Sequence, residues 1–182
     1  MTTISSFPCI ADQRARILIL GSMPGERSLQ AEQYYAHPRN AFWPIVEALL
    51  QLPADSSYQQ RIEALRQHGI ALWDVLANCR RQGSLDSAIE PNSIAYNNLT
   101  GLLQDCHRIE RIFFNGGTAE TLFRRGLRNG DIILPRPIRL QRLPSTSPAN
   151  ARLTPADKLA HWRQLLNYRA KPLPDTGQPT KE

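Results

Sequence analysis

The sequence predicts an α/β fold: a three-layer α/β/α sandwich around a central four-stranded parallel sheet. Short apolar runs, each closed by glycine, proline or a polar turn, alternate with segments that carry apolar residues at helical spacing. This alternation is typical of a parallel sheet covered by helices on both faces. The predicted strands are residues 17–21, 70–76, 111–115 and 138–143.

The segments between and after these strands predict helices. In residues 40–51, apolar side chains recur every three or four positions. The last helix begins at Thr154 and Pro155, which supply an N-cap and a first-turn proline. The predicted helices are residues 40–51, residues 58–68 with a stop at Gly69, a helix capped by Asn92 or Ser93 that runs to about Gln104, residues 118–125, and residues 154–169.

One domain is expected over residues 1–170, because 182 residues with 41% hydrophobic content suit one sizeable core. The remaining residues, 171–182, read KPLPDTGQPTKE, which is rich in proline and charge. Such a segment has little to bury, and we expect it to be a disordered tail.

The composition favours a cytoplasmic protein with a polyanionic partner. The formal charge of +6 and a pI near 9.6 suit nucleic acid. The sequence has no apolar run long enough to span a membrane and no secretion signal at its start. Three cysteines without a CxxC spacing indicate free thiols rather than disulfides or zinc. We expect a monomer that does not associate with membranes.

Ligands of open parallel sheets bind at the carboxyl ends of the strands, so four loops should converge on one site. The first of them, GSMPGERSLQAEQYYAHPRNAFW, lacks both GxGxxG and GxxxxGK[ST]. This disfavours a dinucleotide site and a nucleoside-triphosphate loop of the usual kinds. The converging loops begin at Gly21, Leu76, Asn115 and Leu143.

Aromatic residues surround a His-Pro-Arg-Asn block in this first loop. An aromatic face beside polar groups suits a planar ligand such as a nucleobase. Phe42 is a candidate for stacking on such a ring, and a place in the core of the next helix is the alternative for Phe42 and Trp43. His37 is either an acid–base or phosphate-binding group or a structural hydrogen-bonding residue. The aromatic residues are Tyr34, Tyr35, Phe42 and Trp43.

Polar residues also follow the third and fourth strands. Asn115 can offer a donor and an acceptor to a base edge, or it can cap a turn. Ser145, Thr146 and Ser147, within LPSTSPAN, can bind a phosphodiester oxygen, or they can form an ordinary Ser/Thr turn. Six arginines between positions 124 and 142 either are simply solvated or form a rim that binds a nucleic-acid backbone.

Together these motifs resemble the uracil-DNA glycosylase superfamily, and within it the hypoxanthine-DNA (deoxyinosine) glycosylase branch. The motifs run in order from about Ile17 to Trp162: GSMPG, YYAHPRNAFW, GIALWDVL, GSLDSAI, IFFNGGTA and LPSTSPAN. The resemblance implies the sheet predicted above and an enzyme of base excision repair that flips a deaminated base out of DNA and hydrolyses its bond to the sugar. It implies DNA containing deaminated bases as the partner, with no metal and no cofactor.

Two residues of other branches are missing. Met23 stands where those branches have Asp or Asn before the proline of the first motif, and Leu143 stands where the uracil-specific branch has a histidine. In the hypoxanthine branch the resemblance gives the essential role to the asparagine of the HPRN block, Asn40. The chemistry is feasible because the base departs early from an oxocarbenium-like transition state, so an amide can orient the water.

The resemblance also implies roles for the other site residues. The backbone amides of Ser22 and Met23 would face the departing base, Phe42 would stack on it and Asn115 would read its edge. Uracil and hypoxanthine share a carbonyl beside a ring N–H, which adenine reverses. Residues 148–153 are candidates, by location, for the wedge that fills the gap left by the flipped base. The predicted DNA-binding residues are His37, Arg39, Ser145, Thr146 and Ser147.

Three functions stay open from the sequence. The first is a monofunctional glycosylase for deoxyinosine, with deoxyuridine as a further substrate; no lysine lies in a motif, so a lyase step is not expected. The second is a non-catalytic nucleic-acid-binding module on a glycosylase-like scaffold. The third is a hydrolase of free nucleosides.

Overall fold

The computed structural model describes residues 3–168 of the chain. The predicted residues 169–170 and the tail 171–182 lie outside these described residues. In chain order the strands are β1 (Thr3–Ser5), β2 (Ile17–Gly21), β3 (Ile70–Asp74), β4 (Leu76–Arg80), β5 (Ala95–Tyr96), β6 (Arg111–Asn115) and β7 (Arg139–Leu143). The α-helices are α1 (Glu26–Ala31), α2 (Phe42–Leu50), α3 (Tyr58–Gln67), α4 (Leu99–Asp105), α5 (Gly117–Asn129) and α6 (Pro155–Trp162).

A four-stranded parallel sheet with the order β3-β2-β6-β7 forms the centre of the molecule. Its central strand β2 is fully buried, because both of its faces are covered by apolar side chains. Ile17 and Ile19 pack with residues of α2, α3 and α6, whereas Leu18 and Leu20 pack with residues of α4 and α5. The three-layer sandwich and the four-stranded parallel sheet are therefore confirmed.

A second, antiparallel sheet was not predicted. It has three strands in the order β1-β4-β5 and lies where the chain leaves the parallel sheet after Asp74. The predicted strand 70–76 is thus two strands in two sheets. The break occurs at Val75, whose N–H donates to the carbonyl of Gly21 (2.9 Å).

The prediction of a helix from Asn92 or Ser93 to Gln104 is wrong in its first half. A 3-10 turn (Pro91–Ser93) and β5 occupy that half, and α4 begins only after Asn98, whose side chain accepts from the N–H of Gly101 (2.9 Å). Asn97 explains the delay, because its side chain donates to the carbonyls of Asp74 and Leu76 and holds this segment extended.

The other predicted helices are present with shifted ends. α5 continues to Asn129, four residues past its predicted end, and stops at Gly130, which has a positive φ of 81°. α6 gives way at Arg163 to a 3-10 turn that ends at Asn167. The short helix α1 falls within the first loop. Among residues 3–168, no helix combines the length and the apolar character that crossing a bilayer requires.

Candidate active site

A cavity of about 410 Å³ lies at the carboxyl ends of the parallel strands. The loops after β2, β6 and β7 and the segment after β4 all contribute to its wall, so the predicted convergence is present. Its size falls within the range of about 300–1,000 Å³ that is usual for small-molecule sites. The predicted residues that line it are Ser22, Met23, His37, Asn40, Asn115, Ser145, Thr146 and Ser147; Phe42 and Arg39 do not.

The expectation that Phe42 presents its ring to the ligand needs correction. Phe42 has no exposed surface, and its ring is stacked on Tyr35 with centroids 4.0 Å apart. Tyr35 lies between Phe42 and the cavity and lines the wall itself. Trp43 is also buried, and its indole N–H donates to the carbonyl of Tyr34 (2.7 Å), so the core alternative holds for both residues.

Asn40 lies at the entrance to α2 and faces the cavity. Its Oδ1 accepts from the N–H of Phe42 (3.0 Å), and its own N–H donates to the carbonyl of His37 (2.8 Å). His37 in turn accepts from the N–H of Arg39 at Nδ1 (3.1 Å). The HPRN block is therefore a self-bonded turn that fixes the side-chain amide of Asn40, while Arg39 is exposed outside the cavity.

Asn115 has a different role from the predicted one. Its Nδ2 donates to Thr146 Oγ1 and its Oδ1 accepts from the N–H of Thr146, both at 2.9 Å. The donor and the acceptor that were expected to read a base edge thus bind the loop after β7. Thr146 is fully buried by this pairing, so its hydroxyl points inward rather than toward DNA.

The turn at residues 144–148 is also held from α6 and α2. Trp162 donates to the carbonyl of Pro144 (2.9 Å), and the buried ammonium of Lys158 donates to the carbonyl of Ser147 (3.1 Å). Burial lowers the pKa of Lys158. The N–H of Ala41 donates to the carbonyl of Thr146 (3.0 Å), which joins this turn to the HPRN block.

Gly116 allows the close approach of this turn to β6. Its φ is 98°, in the left-handed region, and a Cβ there would lie 2.9 Å from the Cβ of Ser145. Glycine is therefore required at this position both by conformation and by space. The hydroxyls of Ser145 and Ser147 remain at the cavity wall.

The loop after β2 presents backbone amides and a serine. Within residues 3–168, neither Ser22 nor Met23 donates a backbone-to-backbone hydrogen bond from its N–H, as the predicted role of these amides requires. The hydroxyl of Ser22 donates to the carboxylate of Asp86 (2.8 Å). Asp86 lines the cavity, and burial raises its pKa, although Ser22 and Arg81 act in the opposite direction.

Asp74 and Tyr35 are site residues that the sequence reasoning did not select. Both line the cavity, and Asp74 is only 3% exposed. A Cβ on Gly21 would lie 2.5 Å from Asp74 Oδ1 and 2.9 Å from the Tyr35 hydroxyl, so both polar groups approach the bare backbone of Gly21. Asp74 was visible as a charged residue that ends an apolar strand, whereas nothing separated Tyr35 from Tyr34.

The pKa values of Asp74 and Tyr35 are both raised. Burial raises the pKa of Asp74 to about 7, and the charge of Asp86 adds to this shift. Ser6, which donates to Oδ2 (2.8 Å), and Arg81 oppose it. Burial also raises the pKa of Tyr35, and the charge of Asp74 adds to that shift, whereas the nearby side chain of Asn115 opposes it. In the described chain the buried Tyr35 hydroxyl has no hydrogen-bond partner. A buried polar group without a partner is costly and points to a ligand.

The fold and the cavity define a class of α/β proteins that hold a small ligand at the carboxyl edge of a four-stranded parallel sheet. Within that class, the chain belongs to the Uracil DNA glycosylase superfamily, whose family profile matches residues 7–168. The membership that the motifs indicated is thereby confirmed.

Individual relatives agree with this assignment. The chain is 33% identical over 166 residues to a protein of Methanosarcina acetivorans named Hypoxanthine DNA glycosylase, covering 89% of this chain and 97% of the relative. A protein of the same name from Methanosarcina barkeri is 38% identical over 112 residues, which are 60% of this chain and 69% of the relative. The solution NMR structure of a Methanosarcina acetivorans protein assigned provisionally as a uracil DNA glycosylase has a TM-score of 0.73 and 31% identity, covering 91% of this chain and 97% of that chain.

Proposed function

We propose that this chain is a monofunctional DNA glycosylase of base excision repair that removes hypoxanthine from DNA, with uracil as a further substrate. The observation that carries the proposal is the cavity lined by Asn40 and by Tyr35, whose buried hydroxyl has no hydrogen-bond partner among residues 3–168. The names of the two relatives support the choice of hypoxanthine. We also propose that residues 1–170 act as one domain and that the protein works as a cytoplasmic monomer.

The reaction is hydrolysis of the glycosidic bond. The bond between C1′ of the sugar and N9 of hypoxanthine breaks, and its electron pair leaves with the base. Water then bonds to C1′; one of its protons is lost, and the base takes up one, which gives free hypoxanthine and an abasic site. Asn40 Oδ1 uses one lone pair for the N–H of Phe42 and has a second lone pair to orient this water.

The departing base gains negative charge, which the loop after β2 is suited to stabilise. Ser22 and Met23 line the cavity next to Gly21, which supports a role for their backbone N–H groups. Preorganised N–H groups of this kind stabilise developing charge without reorganisation. Met23, in the place of the Asp or Asn of other branches, is then compatible with catalysis, since most of the barrier is lowered by electrostatics.

Asp74 and Tyr35 replace Asn115 as the residues that read the base. The hydroxyl of Tyr35 is a donor for O6 of hypoxanthine, and the carboxylate of Asp74 is an acceptor for N1–H. Uracil offers the same carbonyl and N–H pair. Adenine has an acceptor at N1 and a donor at C6, so it would leave the buried groups of this pair unmatched.

Contacts with the DNA backbone would come from the cavity mouth. Ser145 and Ser147 present hydroxyls there, and His37 and Arg39 lie on the HPRN turn beside them. Thr146 supports these groups from the interior. The predicted arginine rim at positions 124–142 is only partly available, because Arg136 donates to the carbonyls of Leu103, Cys106 and Ile109.

The test is incubation of the purified protein with a duplex that carries one deoxyinosine, followed by alkaline cleavage of abasic sites. We expect strand scission from wild type, loss of at least about 100-fold in rate for Asn40→Ala, and no change for Asn92→Ala, an exposed asparagine away from the cavity. Absence of scission from wild type would contradict the proposal.

The same samples distinguish the other functions. A non-catalytic binding module would bind the inosine duplex in a salt-dependent manner without releasing base. Release of hypoxanthine from free inosine as readily as from DNA would indicate a nucleoside hydrolase. The relatives named as glycosylases do not favour the binding module.

A further inference from the structure

Leu85 is an exposed apolar side chain at the mouth of the cavity. It is 59% exposed and lines both the cavity and the shallower depression of about 450 Å³ into which the cavity opens. The other large apolar side chains that are exposed among residues 3–168, Ile133 and Leu166, line neither space. Leu85 therefore differs from these two by its place at the opening.

The backbone around Leu85 is held rigidly. The hydroxyl of Ser84 accepts from the N–H of Glu26 (2.9 Å), and Asp86 accepts from the hydroxyl of Ser22 (2.8 Å). The carbonyl of Leu85 itself accepts from the N–H of Ala88 (3.0 Å). Both chain neighbours of Leu85 are thus tied to the first loop, while its own side chain is exposed to solvent.

The opposite side of the mouth has no comparable side chain. It is formed by Pro148, Ala149 and Asn150, which are short or polar. Leu153, the one large apolar residue of the 148–153 segment, is half-buried and does not line the cavity. The segment that was expected from its location to supply the wedge therefore offers no long exposed apolar group.

Base extrusion creates a need for such a group. When a nucleotide is flipped into a pocket, its neighbours lose a stacking partner, at a cost of a few kcal/mol. Proteins that unstack DNA insert leucine, phenylalanine or methionine between the bases. An apolar side chain at the pocket mouth stands next to the position that the base has left.

On the basis of the proposed function, we propose that Leu85 is the wedge that enters the DNA stack when the base occupies the cavity. It acts as a positioning residue that stabilises the flipped state, without taking part in bond breaking. Its contribution is therefore needed for a paired and stacked substrate more than for a single strand, whose bases are already largely free.

The test compares Leu85→Ala with wild type on the same deoxyinosine oligonucleotide, single-stranded and paired opposite dC. We expect the duplex rate to fall by at least about 10-fold more than the single-strand rate, the equivalent of about 1.4 kcal/mol of lost wedge stabilisation. Leu85→Met, which keeps a long apolar side chain, should retain most of the duplex rate. Ile133→Ala, a matched exposed apolar residue away from the cavity, should behave like wild type on both substrates.

A second measurement does not depend on catalysis. In an Asn40→Ala background, 2-aminopurine beside the deoxyinosine should brighten on binding, and the additional Leu85→Ala change should remove most of that signal. If Leu85→Ala lowers the rate of base release equally on duplex and single strand, or does not lower it on the duplex, Leu85 is not the wedge. If wild type releases base from the duplex but not from the single strand, the two rates cannot be compared, and the fluorescence change alone tests the role of Leu85. Absence of base release by wild type from both substrates would instead reject the proposed function.

Discussion

Asp74 is a site residue whose surroundings shift the pKa of its carboxyl group into the neutral range. Its carboxyl lies in the cavity wall with almost no exposed surface, beside a hydroxyl that has no partner within the described residues. Burial disfavours the ionised form and raises the pKa to about 7. The group therefore changes charge near neutral pH, where an unperturbed aspartate is fully ionised.

This shift predicts a pH-dependent stability. From about pH 4 to about pH 7 the folded state keeps a proton that the unfolded state has lost, so the free energy of unfolding falls as pH rises through this interval. Three pKa units set an upper limit of about 4 kcal/mol. Asp74→Asn cannot ionise, so we expect the variant to become more stable relative to wild type between pH 5 and pH 8.

Urea unfolding of both proteins across this range measures the difference. Asp55→Asn, a change of an exposed aspartate, is the matched control and should give a curve parallel to wild type. If the Asp74→Asn and wild-type curves are also parallel, Asp74 does not keep its proton in the folded protein.

Sequence reasoning placed single residues well where the backbone alone decides their position. Asn40 is fixed by hydrogen bonds within the HPRN turn, and Ser22 directly follows a buried strand, so both were placed at the cavity. Phe42 and Asn115 depend on side-chain partners, Tyr35 seven residues earlier and Thr146 31 residues later. The stacking of Tyr35 and the pairing with Thr146 result from tertiary packing, which no local pattern records.

At the scale of elements, the predictable part was the part with a strong hydrophobic pattern. β2, β3 and β6 are largely apolar runs, whereas β7 (RLQRL) has two apolar residues; all four strands were found within two residues. β1 and β5 have three and two residues of mixed polarity, so they carry no periodic signal. Their strand character comes from pairing with β4, a non-local interaction.

The segment that follows β4 is organised by one buried arginine. Arg81, whose side chain is fully buried, donates to the carbonyls of Pro24 and Gly83 and lies 3.9 Å from Asp86. It therefore joins the loop after β2 to the loop that carries Leu85. Its Nη1 has no hydrogen-bond partner in the described chain, so the ion pair with Asp86 is its remaining compensation.

Arg81→Met should consequently destabilise the protein by about 3 kcal/mol, because it leaves buried carbonyls and the Asp86 charge unpaired. Arg80→Met is the matched control. Arg80 is the preceding residue, and its pair with Glu90 is exposed, so its loss should cost less than about 1 kcal/mol. Urea unfolding at neutral pH gives both values, and similar losses in the two variants would contradict the role assigned to Arg81.

For the whole molecule, the positive charge of +6 favours association with DNA but does not locate the interface. Two arginines lie at different distances from the cavity. Arg27 lies at the cavity mouth, where it lines both the cavity and the adjoining depression. Arg128 lies near the far end of α5, ten residues from Thr118 at the cavity, which places it roughly 15 Å along the helix axis.

Replacing Arg27 or Arg128 by alanine removes one positive charge in either case. A difference between the two variants therefore reports a local phosphate contact rather than an effect of net charge. Each neutralised phosphate contributes about 0.9 to the slope of log affinity against log salt concentration. We expect Arg27→Ala to reduce the slope for an inosine duplex by about one, and Arg128→Ala to leave it at the wild-type value. Fluorescence anisotropy between about 50 and about 200 mM salt resolves such a difference. Equal slopes for the two variants would mean that the cavity mouth does not track the DNA backbone, and that the protein binds DNA through its overall charge.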